Sequence, residues 1–409
     1  MARPYDLVII GLGSAGLTAA RFASAELGLR VAAVERDRVG GDCLWSGCVP
    51  SKSLAHSARA AHDARRAVEF GVRTGEVTVD LPSVWRRIRD VQAEIAAGDD
   101  SPERVADWGV DLHWGSASVT GARTVRVTND DDTTDLETRN ILICTGSRAR
   151  IPHISGLAEV DYLTNETLFS NDTAPASIVV VGGGPFAVES AQALSRLGVQ
   201  VTLFETLQRL LSRDEPELAD RLALVLRREG VDLRLGTAVT GLRSNSAGVT
   251  VETADGETEA ATVLLATGRT ANVESLGLDR LGIAAGPDGI SVDARSRTIV
   301  SSIYAVGDVA AGRSLFTPSA AHDAVMAVRD MFLPGRGSAA TLVPWVTFTD
   351  PQLAHVGMTA AEARERFGDR RVRVSRFDLA ETDRARIDST PDGMVTVVTA
   401  RGKAVGGHL

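Results

Sequence analysis

One sequence pattern occurs twice in this chain and constrains its fold more than any other feature. The first copy runs from Asp6 through LVIIGLGSAG to VAAVE, which ends at Glu35. The second runs from Ser177 through IVVVGGGPFA to VTLFE, which ends at Glu205. Each copy is a strand-like run, a glycine turn, a helix-like segment and a second strand-like run that ends on an acid. The repeat predicts two βαβ units with parallel strands.

Both copies fit the G-x-G-x-x-G pattern of dinucleotide-binding sites. The first glycine forms a tight turn, the second lets the backbone approach a pyrophosphate, and the third lets helix and strand pack closely. These positions hold Gly11, Gly13 and Gly16 in the first copy and Gly182, Gly184 and Ala187 in the second. Glu35 follows Gly16 by 19 residues and Glu205 follows Ala187 by 18. An acid at this distance accepts ribose hydroxyls, so we predict two dinucleotide sites.

The segment GGDCLWSGCVPSK, from Gly40 to Lys52, contains two of the three cysteines. Cys43 and Cys48 flank a short turn, and Cys48 stands just before a predicted helix that starts near Pro50. A helix N-terminus stabilises a thiolate and makes it more reactive. The preceding dinucleotide unit favours a reactive pair over the alternative of two buried, inert cysteines. We expect no metal site, because no second Cys or His pair has zinc-ligand spacing.

Composition limits the class of protein. The chain has 409 residues and a net charge of −9, which argues against general nucleic-acid binding. It contains neither a recognisable signal peptide nor an apolar run long enough for a membrane span, so we expect a cytoplasmic protein. Lysine occurs only at Lys52 and Lys403, whereas the other basic residues are arginine. Lys52 therefore indicates a position that requires a compact point charge.

Together these motifs resemble those of the FAD-dependent pyridine nucleotide–disulfide oxidoreductases, which include dihydrolipoyl dehydrogenase, glutathione reductase and mercuric reductase. GGDCLWSGCVPSK is similar to their redox segment C-x-x-x-x-C-x-P-S-K, and GLGSAG to their FAD motif. GGGPFAVES is similar to their nicotinamide-cofactor motif and YAVGDVA to their second FAD motif. The resemblance extends from about residue 5 to the last residue. It implies an α/β fold with two Rossmann-like dinucleotide-binding domains, for FAD and NAD(P), and an incomplete α+β interface domain.

The implied domains are a discontinuous FAD-binding domain (1–148 and 270–335), an NAD(P)-binding domain (149–269) and a partial dimerisation domain (340–409). The best linker candidate is Pro334–Ser338. The sequence also predicts helices over Pro50–Phe70, Ser83–Ala97 and Thr359–Phe367, a polar turn at Asn129–Asp135, and strands near 371–378 and 393–399.

The resemblance also implies roles for residues at matching positions. FAD would be bound by Gly11, Gly13, Gly16, Glu35, Gly115, Thr145, Gly146 and Asp308. The nicotinamide cofactor would be bound by Gly182, Gly184, Glu205, Val239 and Gly268. Lys52, paired with Glu189, would lie beside the flavin. Electrons would pass from NAD(P)H through FAD to a Cys43–Cys48 disulfide, and Cys43 would then attack a small-molecule or protein-bound disulfide substrate, or the reverse.

The cofactor and the electron acceptor are less constrained. Glu205 favours NADH because an acid accepts the free 2′-hydroxyl and repels a 2′-phosphate, although Arg209 partly opposes this. Mercuric reductases are expected to carry a C-terminal cysteine pair, but no cysteine follows Cys144, which we interpret as a buried small hydrophobe. Asp42 and Trp45 depart from the usual dihydrolipoyl dehydrogenase form of the redox segment.

The family's C-terminal His–Glu pair, which serves the partner's active site in a homodimer, has no counterpart here. His355 lies in a strand region where the family has no catalytic base, and no acid follows His408. We therefore expect a chain truncated relative to the family, in which homodimer formation is doubtful. Three hypotheses remain: a disulfide or related (including mercuric) reductase, a diaphorase-type NAD(P)H oxidoreductase that reduces quinones or dyes, and an inactive flavoprotein with an unpaired sheet edge.

Overall fold

The computed structural model describes residues 3–130, 132–246, 248–333 and 342–409. In chain order its α-helices are α1 (Ser14–Arg21), α2 (Gly41–Trp45), α3 (Cys48–Arg66), α4 (Leu81–Ala97), α5 (Pro102–Asp107), α6 (Asn165–Leu168), α7 (Pro185–Arg196), α8 (Pro216–Arg228), α9 (Thr317–Phe332), α10 (Ala360–Phe367) and α11 (Asp383–Asp388).

The strands before residue 240 are β1 (Tyr5–Ile10), β2 (Val31–Glu35), β3 (Val110–Trp114), β4 (Ser116–Gly121), β5 (Thr124–Thr128), β6 (Thr133–Ile143), β7 (Ser147–Ala149), β8 (Tyr162–Leu163), β9 (Ser177–Val181), β10 (Gln200–Glu205), β11 (Asp232–Leu235) and β12 (Val239–Asn245). The later strands are β13 (Gly248–Thr253), β14 (Gly256–Ala260), β15 (Thr262–Leu265), β16 (Arg269–Ala271), β17 (Ala285–Gly286), β18 (Gly289–Ile290), β19 (Ile303–Ala305), β20 (Trp345–Thr347), β21 (Leu353–Gly357), β22 (Val372–Asp378), β23 (Met394–Ala400) and β24 (Lys403–His408).

The chain divides into two compact units. The first unit comprises Met1–Val49, Asp90–Arg148 and Arg269–Thr341, and the second comprises Pro50–Arg89, Ala149–Gly268 and Leu342–Leu409. The three domains expected from the sequence stay a prediction, and the linker candidate Pro334–Ser338 lies outside the described residues.

The first unit is built on a seven-stranded sheet in the order β3-β2-β1-β6-β5-β4, with β19 also paired to β6. Strand β1 is apolar on both faces, as expected for a strand buried inside a parallel sheet. On one face, Leu7 and Ile9 belong to the apolar cluster that includes residues of α1 and α9. On the other face, Val8 and Ile10 pack in the cluster that contains Val125. The first glycine motif thus stands between a buried strand and a helix that covers the sheet.

The second unit contains a parallel five-stranded sheet, β11-β10-β9-β15-β8, and an antiparallel three-stranded sheet, β12-β13-β14. Helix α7 follows the second glycine motif and is almost entirely buried. The C-terminal residues form an antiparallel five-stranded sheet in the order β20-β21-β24-β23-β22. The last strand, β24, pairs with β21 on one side and with β23 on the other.

The polar turn predicted at Asn129–Asp135 is shorter in the structure, because β6 begins at Thr133. The Arg126 guanidinium on β5 donates to the two oxygens of the opposite Asp135 carboxylate at 2.7 and 2.8 Å. The two residues are partners in the antiparallel pairing of β5 with β6, which the composition of the segment does not reveal.

The predicted helices agree with the structure apart from their ends. The helix expected from Pro50 begins at Cys48, and its final residues, Ala67–Phe70, form a 3-10 turn. The helix expected from Ser83 begins at Leu81. None of the helices in the described parts of the chain has the length and apolar content needed to cross a membrane. The cytoplasmic location stays a prediction from the sequence.

Candidate active site

The first glycine motif forms the turn between β1 and α1. Gly11 has a φ of +94°, and a Cβ on it would lie 2.7 Å from the carbonyl oxygen of Cys144. A Cβ on Gly16 would collide with the Gly11 carbonyl, so only glycine allows α1 to pack this closely on the strand. Gly13 occupies the N-cap of α1, where no described side chain caps the helix. The first N–H groups of α1 are therefore available to an anion such as a pyrophosphate.

The Glu35 carboxylate at the end of β2 is buried and held by backbone donors. One oxygen accepts the N–H of Leu12 at 2.8 Å, and the other accepts those of Arg36 and Asp37 at 2.8 and 3.0 Å. These bonds hold the acid against the glycine turn. A glycine turn, an open helix N-terminus and a fixed acid together fit the adenosine and pyrophosphate of FAD.

The other residues expected near FAD also lie in the first unit. The N–H of Gly115 donates to the Glu35 carbonyl at 2.9 Å, and the Thr145 hydroxyl donates to the Asn272 carbonyl at 2.7 Å. Gly146 adopts a φ of +65° and accepts the N–H of Asn272. Asp308 is half-buried beside Ser147.

Asp308 has a perturbed pKa. Burial raises the pKa of this carboxyl, while the Ser147 hydroxyl, which donates to it at 2.7 Å, and the Arg269 guanidinium act in the opposite direction. A carboxylate accepts hydrogen bonds from hydroxyl groups, and the role of Asp308 in binding FAD stays a prediction.

The second glycine motif repeats this geometry in the second unit. Gly182 has a φ of +118°, and Gly184 is the N-cap of α7, with open space where a Cβ would stand. A Cβ on Gly183 would lie 2.7 Å from an oxygen of Glu205. Gly183 is not among the residues predicted for this site, although it is the middle one of three consecutive glycines. The turn and the acid fit a second dinucleotide, with Glu205 also accepting the N–H of Leu207 at 2.8 Å.

Two more residues expected at the nicotinamide site, Val239 and Gly268, also lie in the second unit. Val239, the first residue of β12, is half-buried and packs on an apolar cluster that includes Val181. Gly268 has a φ of +115°, and its carbonyl accepts the N–H of Arg150 at 3.0 Å. Their roles in cofactor binding stay predictions.

The redox segment brings the two cysteines together in the first unit. Both are thiols in the structure. A hydrogen bond with Cys48 and burial raise the pKa of the Cys43 thiol, while Thr317 and Ser14 act weakly in the opposite direction. The Cys48 sulfur lies 3.4 Å from the Thr317 hydroxyl oxygen. Cys43 therefore keeps its proton until a base removes it, as an interchange thiol that depends on general-base catalysis would.

Cys144 is buried at the end of the strand that leads to the Thr145 turn, and burial alone raises the pKa of its thiol. A buried thiol without an activating charge is unreactive. This agrees with its interpretation as a small hydrophobe.

The Lys52–Glu189 pair expected from the resemblance is present in the second unit. The Lys52 ammonium lies 3.1 Å from one Glu189 oxygen and 4.3 Å from the centroid of the Phe348 ring. The backbone N–H of Phe348 donates to the other Glu189 oxygen at 2.8 Å. Glu189 is 7% exposed, so this carboxylate is held from two sides and keeps the lysine in place.

The two histidines considered as bases lie side by side in the C-terminal sheet. Their Nδ1 atoms are 3.1 Å apart, and both residues are buried. Nε2 of His355 bonds to the Gly357 carbonyl at 2.8 Å, and Nε2 of His408 bonds to the Met358 carbonyl at 3.0 Å. Strand pairing, which opposes His355 to His408, brings these residues together.

Comparison with family models and known proteins decides the family. Residues 5–327 match the model described as pyridine nucleotide-disulphide oxidoreductase, and residues 343–409 match the dimerisation domain of the same family. This chain belongs to the pyridine nucleotide–disulfide oxidoreductase family. It is a flavin-dependent oxidoreductase of the NAD(P)H–disulfide type, for which FAD and NAD(P)H are the cofactors.

The chain is 34% identical to a mercuric reductase of Streptomyces lividans over 414 residues, covering 99% of this chain and 86% of the relative. It is 33% identical to a dihydrolipoyl dehydrogenase of Bacillus subtilis over 420 residues, covering 98% and 87%. Among solved structures it matches the Cu(II) complex of the HOCl-induced flavoprotein disulfide reductase RclA of Escherichia coli. That match has a TM-score of 0.87 and 28% identity, and covers all of this chain and 89% of RclA.

Proposed function

We propose that this oxidoreductase uses Cys43 and Cys48 as its redox pair and reduces disulfide substrates with electrons from NAD(P)H. The observation that carries the proposal is the contact of the two thiols at the start of α3, next to the first dinucleotide turn. Bound FAD supplies the two-electron chemistry that connects a nicotinamide cofactor to thiols. The turn at Gly11–Gly16, together with Glu35 and Asp308, would hold it.

The cysteines would then perform thiol–disulfide exchange. The reduced pair attacks a substrate disulfide through Cys43, which forms a mixed disulfide and releases the first substrate thiol. Cys48 attacks the mixed disulfide, releases the second substrate thiol and closes the Cys43–Cys48 bond. Because its pKa is raised, Cys43 requires a base for the first attack. The Lys52–Glu189 pair would supply a fixed charge toward the flavin, as expected from the family.

A second candidate is the reduction of a soft metal ion, favoured by the names of the relatives, which include a mercuric reductase and a reductase solved with Cu(II). The described residues contain no cluster of three or more metal-ligating side chains, so the thiol pair would have to receive the ion. An acceptor panel of lipoamide, glutathione disulfide, Hg(II), Cu(II) and a dye, assayed by NADH oxidation, separates the two. Turnover of metal ions without turnover of disulfides would replace the first proposal by the second.

We propose NADH as the preferred cofactor and expect its kcat/KM to exceed that of NADPH by about tenfold or more. The Glu205 carboxylate accepts hydrogen bonds from the Thr206 hydroxyl and the Leu207 N–H, which fix its position. From this position its negative charge would repel the 2′-phosphate of NADPH, whereas NADH has no such phosphate. Glu205→Ala should narrow this preference, while Glu257→Ala, an exposed acid in the same unit, should leave it unchanged. Equal kcat/KM values for the two cofactors in the unaltered protein would contradict the assignment.

We further propose a homodimer formed through the C-terminal sheet. On the face opposite His355, the apolar side chains of Val356, Phe377 and Val397 are 36%, 49% and 36% exposed. Such a patch on a sheet commonly marks an interface, and residues 343–409 match a dimerisation domain.

Sedimentation velocity should therefore give a dimer for the unaltered chain and a monomer for Val397→Glu, because a buried unpaired charge strongly destabilises an interface. The same change at Ile387, which is 69% exposed on α11, is the control and should leave the dimer intact. A monomer for the unaltered chain would disprove the proposal.

A further inference from the structure

The redox segment departs from the usual family form at Asp42, and the structure gives this residue three contacts that fix the turn between the cysteines. The Ser46 hydroxyl donates to one oxygen of the Asp42 carboxylate, and the Ser46 N–H donates to the Asp42 carbonyl at 2.9 Å. The other carboxylate oxygen lies 2.7 Å from the Arg269 guanidinium. Asp42 therefore ties the beginning of the turn to its end and to a residue far away in the sequence.

Arg269 is itself held firmly within the first unit. Its Nε donates to the Ser147 hydroxyl at 2.6 Å, and one terminal nitrogen donates to the Ser147 carbonyl at 2.9 Å. Its Nε also lies 3.5 Å from an oxygen of Asp308. Only 22% of the Arg269 side chain is exposed. A planar guanidinium fixed at several points is a rigid partner for a carboxylate.

We propose that Asp42 is a positioning residue of the redox pair, which holds the turn from Cys43 to Cys48 in the geometry that favours the disulfide. The proposal rests on the proposed function, because it assumes that these two cysteines cycle between thiol and disulfide. We call the contacts among Asp42, Ser46 and Arg269 the Asp42 bridge.

The Asp42 bridge acts on the disulfide equilibrium through the entropy of ring closure. A fixed turn keeps the two sulfurs close in the dithiol state, which reduces the entropy lost when the bond closes. Removal of the Asp42 carboxylate releases the turn from Arg269, so it should shift the pair toward the dithiol.

The test is equilibration of the flavin-loaded protein with mixtures of reduced and oxidised dithiothreitol. In this exchange Cys43 and Cys48 lose two hydrogens and form their S–S bond, while the bond in oxidised dithiothreitol breaks and takes the hydrogens up. The disulfide fraction is measured by alkylation and mass spectrometry. Asp42→Asn should lower the equilibrium constant for disulfide formation roughly tenfold, which corresponds to about 30 mV.

Two further variants keep the test decisive. Ser46→Ala retains the carboxylate and its pairing with Arg269 but removes one bond of the turn, so a shift of roughly two- to threefold in the same direction is expected. Asp37→Asn removes an equal charge from an exposed ion pair with Arg38 and should cause no shift. An unchanged constant in Asp42→Asn, no shift in Ser46→Ala, or an equal shift in Asp37→Asn would overturn the positioning role. If the unaltered protein forms no Cys43–Cys48 disulfide in any mixture, the proposed function itself is wrong.

Discussion

Replacing Cys43 with alanine should reduce NADH-dependent disulfide turnover by roughly 10³-fold or more, because it removes the nucleophile of the exchange reaction. Cys48→Ala should have an effect of similar size, since the mixed disulfide can no longer be resolved. Electron transfer from NADH to a dye should remain in both variants, because this reaction does not require thiols. NADH oxidation with lipoamide or glutathione disulfide, in parallel with a dye assay, measures both activities.

The matched control is Cys144→Ala, which makes the same chemical change at a buried thiol outside the redox segment. It should retain both activities, apart from any loss of stability caused by the cavity. Disulfide turnover that survives in Cys43→Ala would contradict the assignment. An unaltered protein that reduces dyes but no disulfide would favour the diaphorase hypothesis, and one that retains no FAD would favour the inactive flavoprotein.

The C-terminal sheet should lose about 3 kcal/mol of stability from His355 alone as the pH falls from 6.5 to 4. Burial lowers the pKa of His355 from 6.5 to about 4. Between these values the unfolded histidine is protonated and the folded one is not, so the unfolded chain binds more protons and stability decreases as the pH is lowered. Hydrogen exchange of the β21 and β24 amides, measured between pH 7 and pH 4.5, reports this loss locally.

Other ionisable groups near His355 also affect how the stability of the sheet depends on pH, so the contribution of His355 is isolated by comparing variants. His408 and Glu362 contribute opposing electrostatic effects on the His355 pKa. Burial raises the pKa of Asp214, so this acid opposes His355: above pH 3.8 it makes the folded state more stable as the pH falls. His355→Phe keeps an aromatic ring stacked beside Trp345. It should flatten the pH dependence of the stability of the C-terminal sheet, whereas the same change at the exposed His153 should not. If the stability of the sheet depends on pH as steeply in His355→Phe as in the unaltered protein, His355 is not the group responsible.

Local sequence patterns predicted the parts of the site that depend on local geometry. The two glycine turns, the acids Glu35 and Glu205 and the helix after the redox segment all follow from spacing within a few dozen residues. The reason is that a βαβ unit fixes where a glycine turn and the following acid meet, whatever surrounds it. The family pattern added the partnership of Lys52 with Glu189, which spacing alone does not contain.

Contacts between residues far apart in the sequence were not predictable in this way. The Asp42 bridge needs Arg269, and the His355–His408 pair needs the register of β21 against β24. The error at Asn129–Asp135 has the same origin, since Asp135 lies in a strand that pairs with β5, where its partner is Arg126. Polar residues have similar local preferences in turns and at strand ends, so only pairing with a neighbouring strand shows whether such a residue belongs to a turn or to a strand.

The sequence by itself determined the two dinucleotide turns, the cysteine pair and the family of this oxidoreductase, because each is written in residues close together along the chain. The tertiary structure alone decided which distant residues contact these elements and which side chains stay exposed. It paired Asp42 with Arg269, buried His355 against His408, and left Val356, Phe377 and Val397 exposed on one sheet face. These arrangements depend on which strands become neighbours, and strand pairing is set by the burial of the whole chain rather than by any local pattern.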